Sequence, residues 1–97
     1  MARLPWFRVA VSGDSMAPTL REGQWWVAWR TRTCRPGDIV VMEHPEHDGL
    51  LAAKRAIRHE DGGWWVEGDN PDHSRDSRHF GPVPDERIVG RLVMRYR

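Results

Sequence analysis

Two residues of this 97-residue chain have the types and settings that a nucleophile and its base require. Ser15 ends the turn-rich segment 12–15, ahead of Pro18, and a stiff bend of this kind lets a hydroxyl face a substrate. Lys54 has apolar neighbours on its strand, and their burial of its amine would lower the pKa of this lysine. A neutral amine close to Ser15 could take its proton and activate the hydroxyl for attack on an acyl group.

The rarity of lysine strengthens this interpretation of Lys54. Of the 15 basic residues, one is lysine and the other 14 are arginine. Lysine can lose its proton inside a protein, whereas arginine effectively cannot. Both residues also have ordinary interpretations, because most loop serines are inert and a surface lysine can cover apolar area with its stem. The residue types alone favour a catalytic pair of Ser15 and Lys54, and the interpretation that neither residue is catalytic stays open.

Histidines offer competing bases or metal ligands, and there are five of them: His44, His47, His59, His73 and His79. They lie mostly in polar stretches, where a solvated surface histidine is the commoner interpretation. A Ser-His-Asp triad is not excluded by spacing, but Ser15 lacks the second glycine of the Gly-x-Ser-x-Gly turn. His44 and His47 could join Cys34 at a metal, although no stretch has the spacing of a structural zinc site. We therefore expect no metal and no other cofactor.

Short apolar segments separated by turn signals must position these side chains. The candidate strands cover 7–11, 24–30, 39–42, 50–58, 64–67 and 88–96. Asp61-Gly62-Gly63 predicts a hairpin turn, and Gly90 indicates a bulge in the last strand. No stretch is typical of a long amphipathic helix, and the polar tract 68–78 predicts a loop. The pattern predicts one all-β domain over 1–97, with Lys54 in its fourth strand.

Composition limits the class of protein. Lys and Arg number 15 against 14 Asp and Glu, so the formal net charge is +1 and a strongly basic nucleic-acid surface is excluded. The longest apolar run, 25–29, is far shorter than the roughly 20 residues that span a bilayer. The chain lacks the apolar stretch of a secretory signal, and its single Cys34 can form no internal disulfide. These features predict a cytoplasmic protein without a transmembrane segment.

Four segments resemble characteristic boxes of the type I signal peptidases, peptidase family S26. Gly-Asp-Ser-Met-Ala-Pro-Thr-Leu at 13–20 resembles their nucleophile box, and Gly-Asp-Ile-Val-Val at 37–41 resembles a strand of their core. Lys-Arg-Ala-Ile at 54–57 resembles the box that holds their general base. The segment 68–81, which begins Gly-Asp-Asn, resembles their last box. The four boxes occur in the family's order and cover nearly the whole chain.

This resemblance implies a fold and an activity. The fold would be a partly open barrel of short, mostly antiparallel strands, like the signal peptidase catalytic core. The activity would be that of a serine endopeptidase, with Ser15 as nucleophile and Lys54 as general base. The backbone N–H of Ser15 would donate to the oxyanion, and Met16 and Pro18 would line the substrate cleft.

The last box implies supporting residues. Ser74 matches a serine that hydrogen-bonds the amine of the base, and Asp76 and Arg78 match an ion pair that braces the active-site loop. One departure concerns Gly13, because some family members have a serine there that donates a second hydrogen bond to the oxyanion. That second donor is therefore in doubt, and Ser12 or a backbone amide is the alternative.

Two features found in many members of the family are not evident in this sequence, and this points to a particular subgroup. Ser15 and Lys54 lie only 39 positions apart, too close for the large inserted subdomain of many bacterial members, and no membrane anchor is evident. A small arginine-rich chain of this kind resembles the maturation proteases of nickel-type superoxide dismutase, as do its segments 64–70 and 80–84. That resemblance implies removal of an N-terminal propeptide or leader from a precursor protein. Any nickel would belong to the substrate.

Other functions stay open beside this one. A self-cleaving repressor-type protease uses a similar pair, but it needs a DNA-binding domain and an internal cleavage site, and neither is evident. A small β-barrel module without catalysis could bind a peptide or single-stranded nucleic acid through Trp and Arg, although the lone lysine then has no role. We expect no nucleic-acid partner. Trp25, Trp26 and Trp29 could line a peptide cleft, give peripheral contact with a membrane, or pack in the core.

Overall fold

A single curved sheet of seven strands dominates the computed structural model, which describes residues 4–97 and so leaves three positions of the predicted domain outside. The strands are β1 (Trp6–Ala10), β2 (Trp25–Arg30), β3 (Ile39–Glu43), β4 (Leu51–Glu60), β5 (Gly63–Glu67), β6 (Val83–Pro84) and β7 (Ile88–Arg95). Neighbouring strands are antiparallel in the order β1-β2-β7-β3-β4-β5-β6, and the sheet forms a half-barrel. The predicted all-β, partly open architecture is confirmed.

The main apolar cluster joins strands β3 to β7 and fixes the strand that carries Lys54. Its members are Val40, Met42, Ala56, Trp64, Val66, Val83 and Ile88. In β3 the consecutive residues Val40, Val41 and Met42 are all buried, so both faces of this strand are covered. Burial of each such side chain contributes about 1.5–3 kcal/mol. Because Val40 pairs with Lys54, the lysine lies on one of the most firmly held strands of the sheet.

Two glycines show how backbone geometry shapes the sheet. Gly62, with φ of 75°, follows Asp61 with φ of 49°, and these left-handed conformations form the predicted two-residue hairpin turn between β4 and β5. Gly90 stays paired with Val41, and the register shift between β3 and β7 lies beside it. A Cβ on Gly90 would lie 2.5 Å from the carbonyl oxygen of Trp29. A bulge therefore lies beside Gly90, as the sequence predicts, and the close approach of β2 gives a further reason for a glycine at this position.

Helix is scarce in the described part, and two of its three short pieces begin within the tract 68–78 that the sequence predicts as a loop. There are two 3-10 turns, Pro71–His73 and Asp85–Arg87, and one short helix, α1 (Ser77–Phe80). The helix begins at Ser77 because the Asp76 side chain accepts from the Arg78 N–H, in a capping box that His79 completes. Within residues 4–97 no helix has the length and apolar character needed to cross a membrane.

The tryptophans divide between core and surface. Trp64 is buried in the main cluster, whereas Trp6, Trp25 and Trp29 on β1 and β2 are 45%, 38% and 44% exposed. Trp6 lies opposite Trp29 across the two strands, so these rings share one face of the sheet. The peripheral membrane contact that the exposed tryptophans suggest stays a prediction.

Candidate active site

The segment between β1 and β2 carries Ser15 in a closed turn. Met16 and Leu20 anchor it, because their side chains are only 3% and 1% exposed. The N–H of Leu20 donates to the Met16 carbonyl at 2.9 Å, and the N–H of Ala17 donates to the Asp14 carbonyl at 3.1 Å. Ser15 is half-buried, and its own N–H has no acceptor in the part of the chain that the structure describes. An unpaired backbone N–H is the type of donor that an oxyanion requires, and this role of the Ser15 N–H stays a prediction.

Lys54 lies in the middle of β4, with a side chain that is 5% exposed. Its amine forms no ion pair with any of the described residues. Burial lowers the pKa of Lys54, the negative charge of Asp76 opposes that shift, and the positive charge of Arg78 reinforces it. The neutral amine is consequently more populated at a given pH than it is for a lysine in water.

Ser15 and Lys54 line the same cleft, which has a volume of about 510 Å³. One wall is formed by residues 7–13, from β1 and the loop after it, and the other by residues 50–54 at the start of β4. No hydrogen bond joins Ser15 Oγ to Lys54 Nζ in this structure. Catalytic hydrogen bonds are often long without substrate and tighten when it binds. The structure thus places the two groups in one cleft and leaves their contact as a prediction.

Asp76 is a fully buried carboxylate beside this site. It accepts hydrogen bonds from Ser74 Oγ at 2.6 Å and from the Gly68 N–H at 2.8 Å. Arg78 donates through Nη2 at 2.6 Å, Nε at 2.9 Å and its backbone N–H at 3.1 Å. Burial alone would raise the pKa of Asp76, but these bonds from Arg78, Ser74 and Gly68 hold it well below its usual range. The hydrogen bonds of Asp76 and Arg78 with Gly68, which follows β5, tie α1 to the end of that strand.

Ser74 differs from its predicted arrangement. The resemblance implies a hydrogen bond from Ser74 to the amine of Lys54, but the buried hydroxyl donates instead to Asp76. A carboxylate that is already ionised is a strong acceptor, which explains why the hydroxyl hydrogen points to it. The influence of this region on Lys54 is therefore electrostatic, because the charges of Asp76 and Arg78 act on its pKa in opposite directions.

Other residues expected in the cleft are distributed unevenly. Met16 lines the cleft and is buried, whereas Pro18 is exposed and is not among the lining residues. Ser12, the alternative for a second oxyanion donor, lines it, and so does Gly13, the position where some family members have a serine. None of Trp25, Trp26 and Trp29 does, so the suggestion that they line the peptide cleft is wrong for this cleft.

The histidines are mostly on the surface, as the polar stretches around them indicate. His47, His59, His73 and His79 are exposed, and His59 contacts Asp85 at 2.9 Å. His44 is the exception, because its side chain is only 6% exposed and lines the cleft that holds Lys54.

A second polar network, to which the sequence assigns no role, joins the Ser15 segment to β4. Asp69 accepts from Arg55 Nη2 and from Thr19 Oγ1, both at 2.6 Å. Arg55 follows Lys54 in the chain and also donates to the Gly37 carbonyl at 2.8 Å. The pKa of Asp69 is lowered by the hydrogen bond from Arg55 and, against the effect of burial, by that from Thr19. Asp69 therefore connects β4, which carries Lys54, to the loop that carries Ser15.

Asn70 adds contacts to the backbone around Ser15. Its N–H donates to the Ser15 carbonyl and its side-chain amide donates to the Asp14 carbonyl, each at 3.0 Å. The sequence signal is the Gly-Asp-Asn string, which marks the last box but cannot show contacts with residues more than 50 positions away. We interpret Asp69 and Asn70 as positioning residues for Ser15.

Replacement of Asp69 by Asn should lower kcat by about 10- to 100-fold, with little change in KM. The Asn side chain keeps the shape but loses the charge that holds Arg55, and small displacements of reacting groups are costly. Steady-state kinetics on a cleaved peptide measures both constants. Glu60→Gln is the matched control, because it breaks the more exposed Arg58–Glu60 pair at the far end of the same strand. An Asp69→Asn enzyme with normal kcat would contradict the positioning role.

Comparisons with known proteins show the family of this chain. The family model described as Peptidase S24-like matches residues 3–93. Mitochondrial inner membrane protease subunit 1 of Schizosaccharomyces pombe is 32% identical over 108 residues, covering 87% of this chain and 69% of that protein. Mitochondrial ATP-independent inner membrane protease subunit 1b of Arabidopsis thaliana is 34% identical, covering 92% and 69% respectively. Subunit 2 from Schizosaccharomyces pombe is 32% identical over 59% of this chain and 42% of its own length.

The half-barrel and these matches define a protease domain of the signal-peptidase-like serine class. The chain belongs to the Peptidase S24-like family. Its relatives support a peptidase activity on a protein substrate.

Proposed function

We propose that this protein is a serine endopeptidase in which Ser15 is the nucleophile and Lys54 the general base. The observation that carries the proposal is the cleft of about 510 Å³ that both residues line, with the lysine almost completely buried in its wall. A buried amine with a lowered pKa is the type of base that can activate a hydroxyl near neutral pH.

The reaction would proceed through an acyl-enzyme. Neutral Lys54 takes the proton from Ser15 Oγ as that oxygen attacks the scissile carbonyl, and the Ser15 N–H donates to the resulting oxyanion. Collapse of the tetrahedral intermediate breaks the C–N bond, and the leaving amine receives the proton from Lys54. Water then gives a proton to Lys54 and attacks the ester, and the proton returns to Ser15 as the acid is released.

The edge of β1 supports binding of an extended peptide. This strand is the first of the sheet, so within residues 4–97 it pairs only with β2 and its other edge is unpaired. Its residues form one wall of the cleft. Unpaired N–H and C=O groups at a sheet edge can accept a further strand. A substrate strand along β1 would pass between that wall and Lys54.

The substrate we propose is a precursor protein that loses an N-terminal propeptide or leader. The pro-form of nickel superoxide dismutase is the specific candidate, on the strength of segments 64–70 and 80–84 and the S26-like boxes. The cytoplasmic location stays a prediction alongside it. The curated relatives are named for the mitochondrial inner membrane, and that name describes those proteins.

Co-expression with a candidate precursor tests the proposal. The native enzyme should produce a shortened precursor in mass measurement of its N-terminus, and Ser15→Ala should abolish the product. No other residue in the proposed mechanism can replace the Ser15 hydroxyl, so the rate of cleavage should fall by about 1,000-fold or more. Thr33→Ala removes an exposed hydroxyl outside the cleft lining and should cleave normally. Cleavage retained by Ser15→Ala would remove Ser15 from the mechanism.

A further inference from the structure

The imidazole of His44 is buried at one side of the cleft, in the loop between β3 and β4. Its ring packs against that of Phe80 in a T-shaped arrangement, with centroids 5.4 Å apart, and the centroid of the His47 ring lies 4.8 Å away. The backbone N–H of His44 donates to the Leu50 carbonyl at 2.8 Å, and this hydrogen bond fixes the backbone at His44. The side chain is 6% exposed and is among those that line the cleft.

The hydrogen bonds of His44 determine which of its ring nitrogens carries the proton. Its Nδ1 lies 3.0 Å from the backbone N–H of Glu46, which can only donate, so Nδ1 is the acceptor. A neutral imidazole with an acceptor at Nδ1 carries its hydrogen on Nε2. The ring therefore offers one donor, Nε2–H.

That donor has no partner within residues 4–97. Every side-chain nitrogen or oxygen sealed from solvent in this part of the chain has a hydrogen-bond partner, so Nε2 must reach solvent. The rings of Phe80 and His47 pack against His44, and His44 is one of the residues that line the cleft. The cleft that also holds Lys54 is therefore the space in which this nearly buried, unpartnered N–H can meet a ligand.

The charges around His44 favour a neutral ring. Burial lowers its pKa most, His47 lowers it further, and Glu46 opposes them, while Lys54 and Arg75 add to the lowering. Arg75 also lines the cleft, but its guanidinium is held by two hydrogen bonds from Nε and Nη2 to the carboxylate of Glu46. The subsite therefore has a directional donor and little net charge.

We propose that His44 Nε2–H forms a polar subsite of the cleft that binds a substrate side chain bearing a carbonyl or carboxylate oxygen. This inference rests on the proposed binding of peptides in the cleft. Leu50 and Leu51 line the cleft with apolar side chains, and Arg75 is held by Glu46, so His44 Nε2–H is the uncharged donor available to an acceptor oxygen there. An apolar substrate side chain at this point would displace water from Nε2–H and offer it no acceptor. A donor buried without a hydrogen bond is costly, so such a substrate should bind much less tightly.

Peptide binding to the Ser15→Ala protein tests the subsite without turnover. The probes are decapeptides of one frame in which a single Asn, Asp or Leu moves along the chain, since Asn and Leu have similar size. At one position the Asn and Asp peptides should bind about 10-fold or more tightly than the Leu peptide, as measured by calorimetry. His44→Phe should remove that preference, and His47→Phe, which changes an exposed ring of the same loop, should keep it.

The outcomes separate this proposal from the proposed function. Equal affinity for Asn and Leu peptides at every position, or a preference that survives in His44→Phe, would overturn the subsite while peptide binding itself still stands. Failure of every peptide to bind would overturn both. If His44→Phe does not fold, the Nε2–H resonance of His44 decides, because it should shift on addition of the preferred Asn peptide and not with the Leu peptide. An unchanged resonance would overturn the subsite.

Discussion

Replacement of Lys54 by Met should abolish peptide hydrolysis and at the same time make the folded protein more stable. Loss of a general base lowers rates by about 100- to 10,000-fold. Met fills the same apolar wall without an amine, so the shape of the cleft is kept. Steady-state hydrolysis of a cleaved peptide measures the first effect, and thermal unfolding of the same samples measures the second.

The gain in stability follows from the direction of the pKa shift. Burial lowers the pKa of folded Lys54, so the unfolded chain binds this proton more tightly than the folded one. The buried charge of Lys54 lowers the free energy of unfolding by its full amount at pH values below the folded pKa of Lys54. This effect decreases as pH rises from the folded pKa to the unfolded pKa. Lys54→Met should therefore raise the midpoint of unfolding most at pH values below the folded pKa of Lys54, and least above the usual lysine pKa.

Two further variants make this prediction specific. Lys54→Arg keeps the positive charge but cannot lose its proton, so it should be as inactive as Lys54→Met and less stable than the native protein. Arg58→Met removes an exposed charge from the same strand and should leave hydrolysis near normal. Native kcat/KM should rise with pH as free Lys54 deprotonates, and the profile should level off above its pKa. A Lys54→Met protein that still cleaves would contradict the base role.

Local patterns in the sequence are sufficient for much of the fold. The strands of this sheet are short apolar runs, and Asp61-Gly62 has the backbone preferences of a two-residue hairpin. Ser15 and Lys54 stand out by their chemistry, because a lone lysine among arginines and a serine in a stiff turn are both unusual. Each of these patterns depends only on residues that are close to one another in the sequence.

The supporting residues depend on contacts that no local pattern contains. Asp76 lies in a polar tract that is typical of a solvated loop, yet five hydrogen bonds satisfy it inside the protein, and hydropathy cannot distinguish the two cases. Thr19 and Asp69 lie 50 positions apart and meet only because the sheet curves. The sequence groups His44 with the surface histidines for the same reason, since its burial depends on Phe80 of the distant helix.

Replacement of Gly68 by Ala should inactivate the enzyme through a steric effect alone. A Cβ at this position would lie 2.2 Å from Ser74 Oγ, 2.5 Å from Ser74 Cβ and 2.5 Å from the Ser15 carbonyl oxygen. The backbone of Gly68 is also held, because its N–H donates to Asp76 at 2.8 Å and its carbonyl accepts from Arg78 at 3.3 Å. The added methyl group must therefore push the nucleophile segment away from the buried carboxylate.

The expected loss in kcat is about 100-fold or more, since a displacement of about 1 Å at a reacting group has that effect. Overpacking should also destabilise the fold by about 1–3 kcal/mol, measured by thermal unfolding. Gly62→Ala is the matched control: its φ of 75° makes alanine strained, but nothing lies within 4 Å of the new Cβ, so stability should fall while kcat does not. Adding Ser74→Ala to Gly68→Ala should not restore activity, because the contacts with Ser74 Cβ and the Ser15 carbonyl persist. A Gly68→Ala enzyme with kcat close to native would show that this region adapts, and that the position of Ser15 does not depend on it.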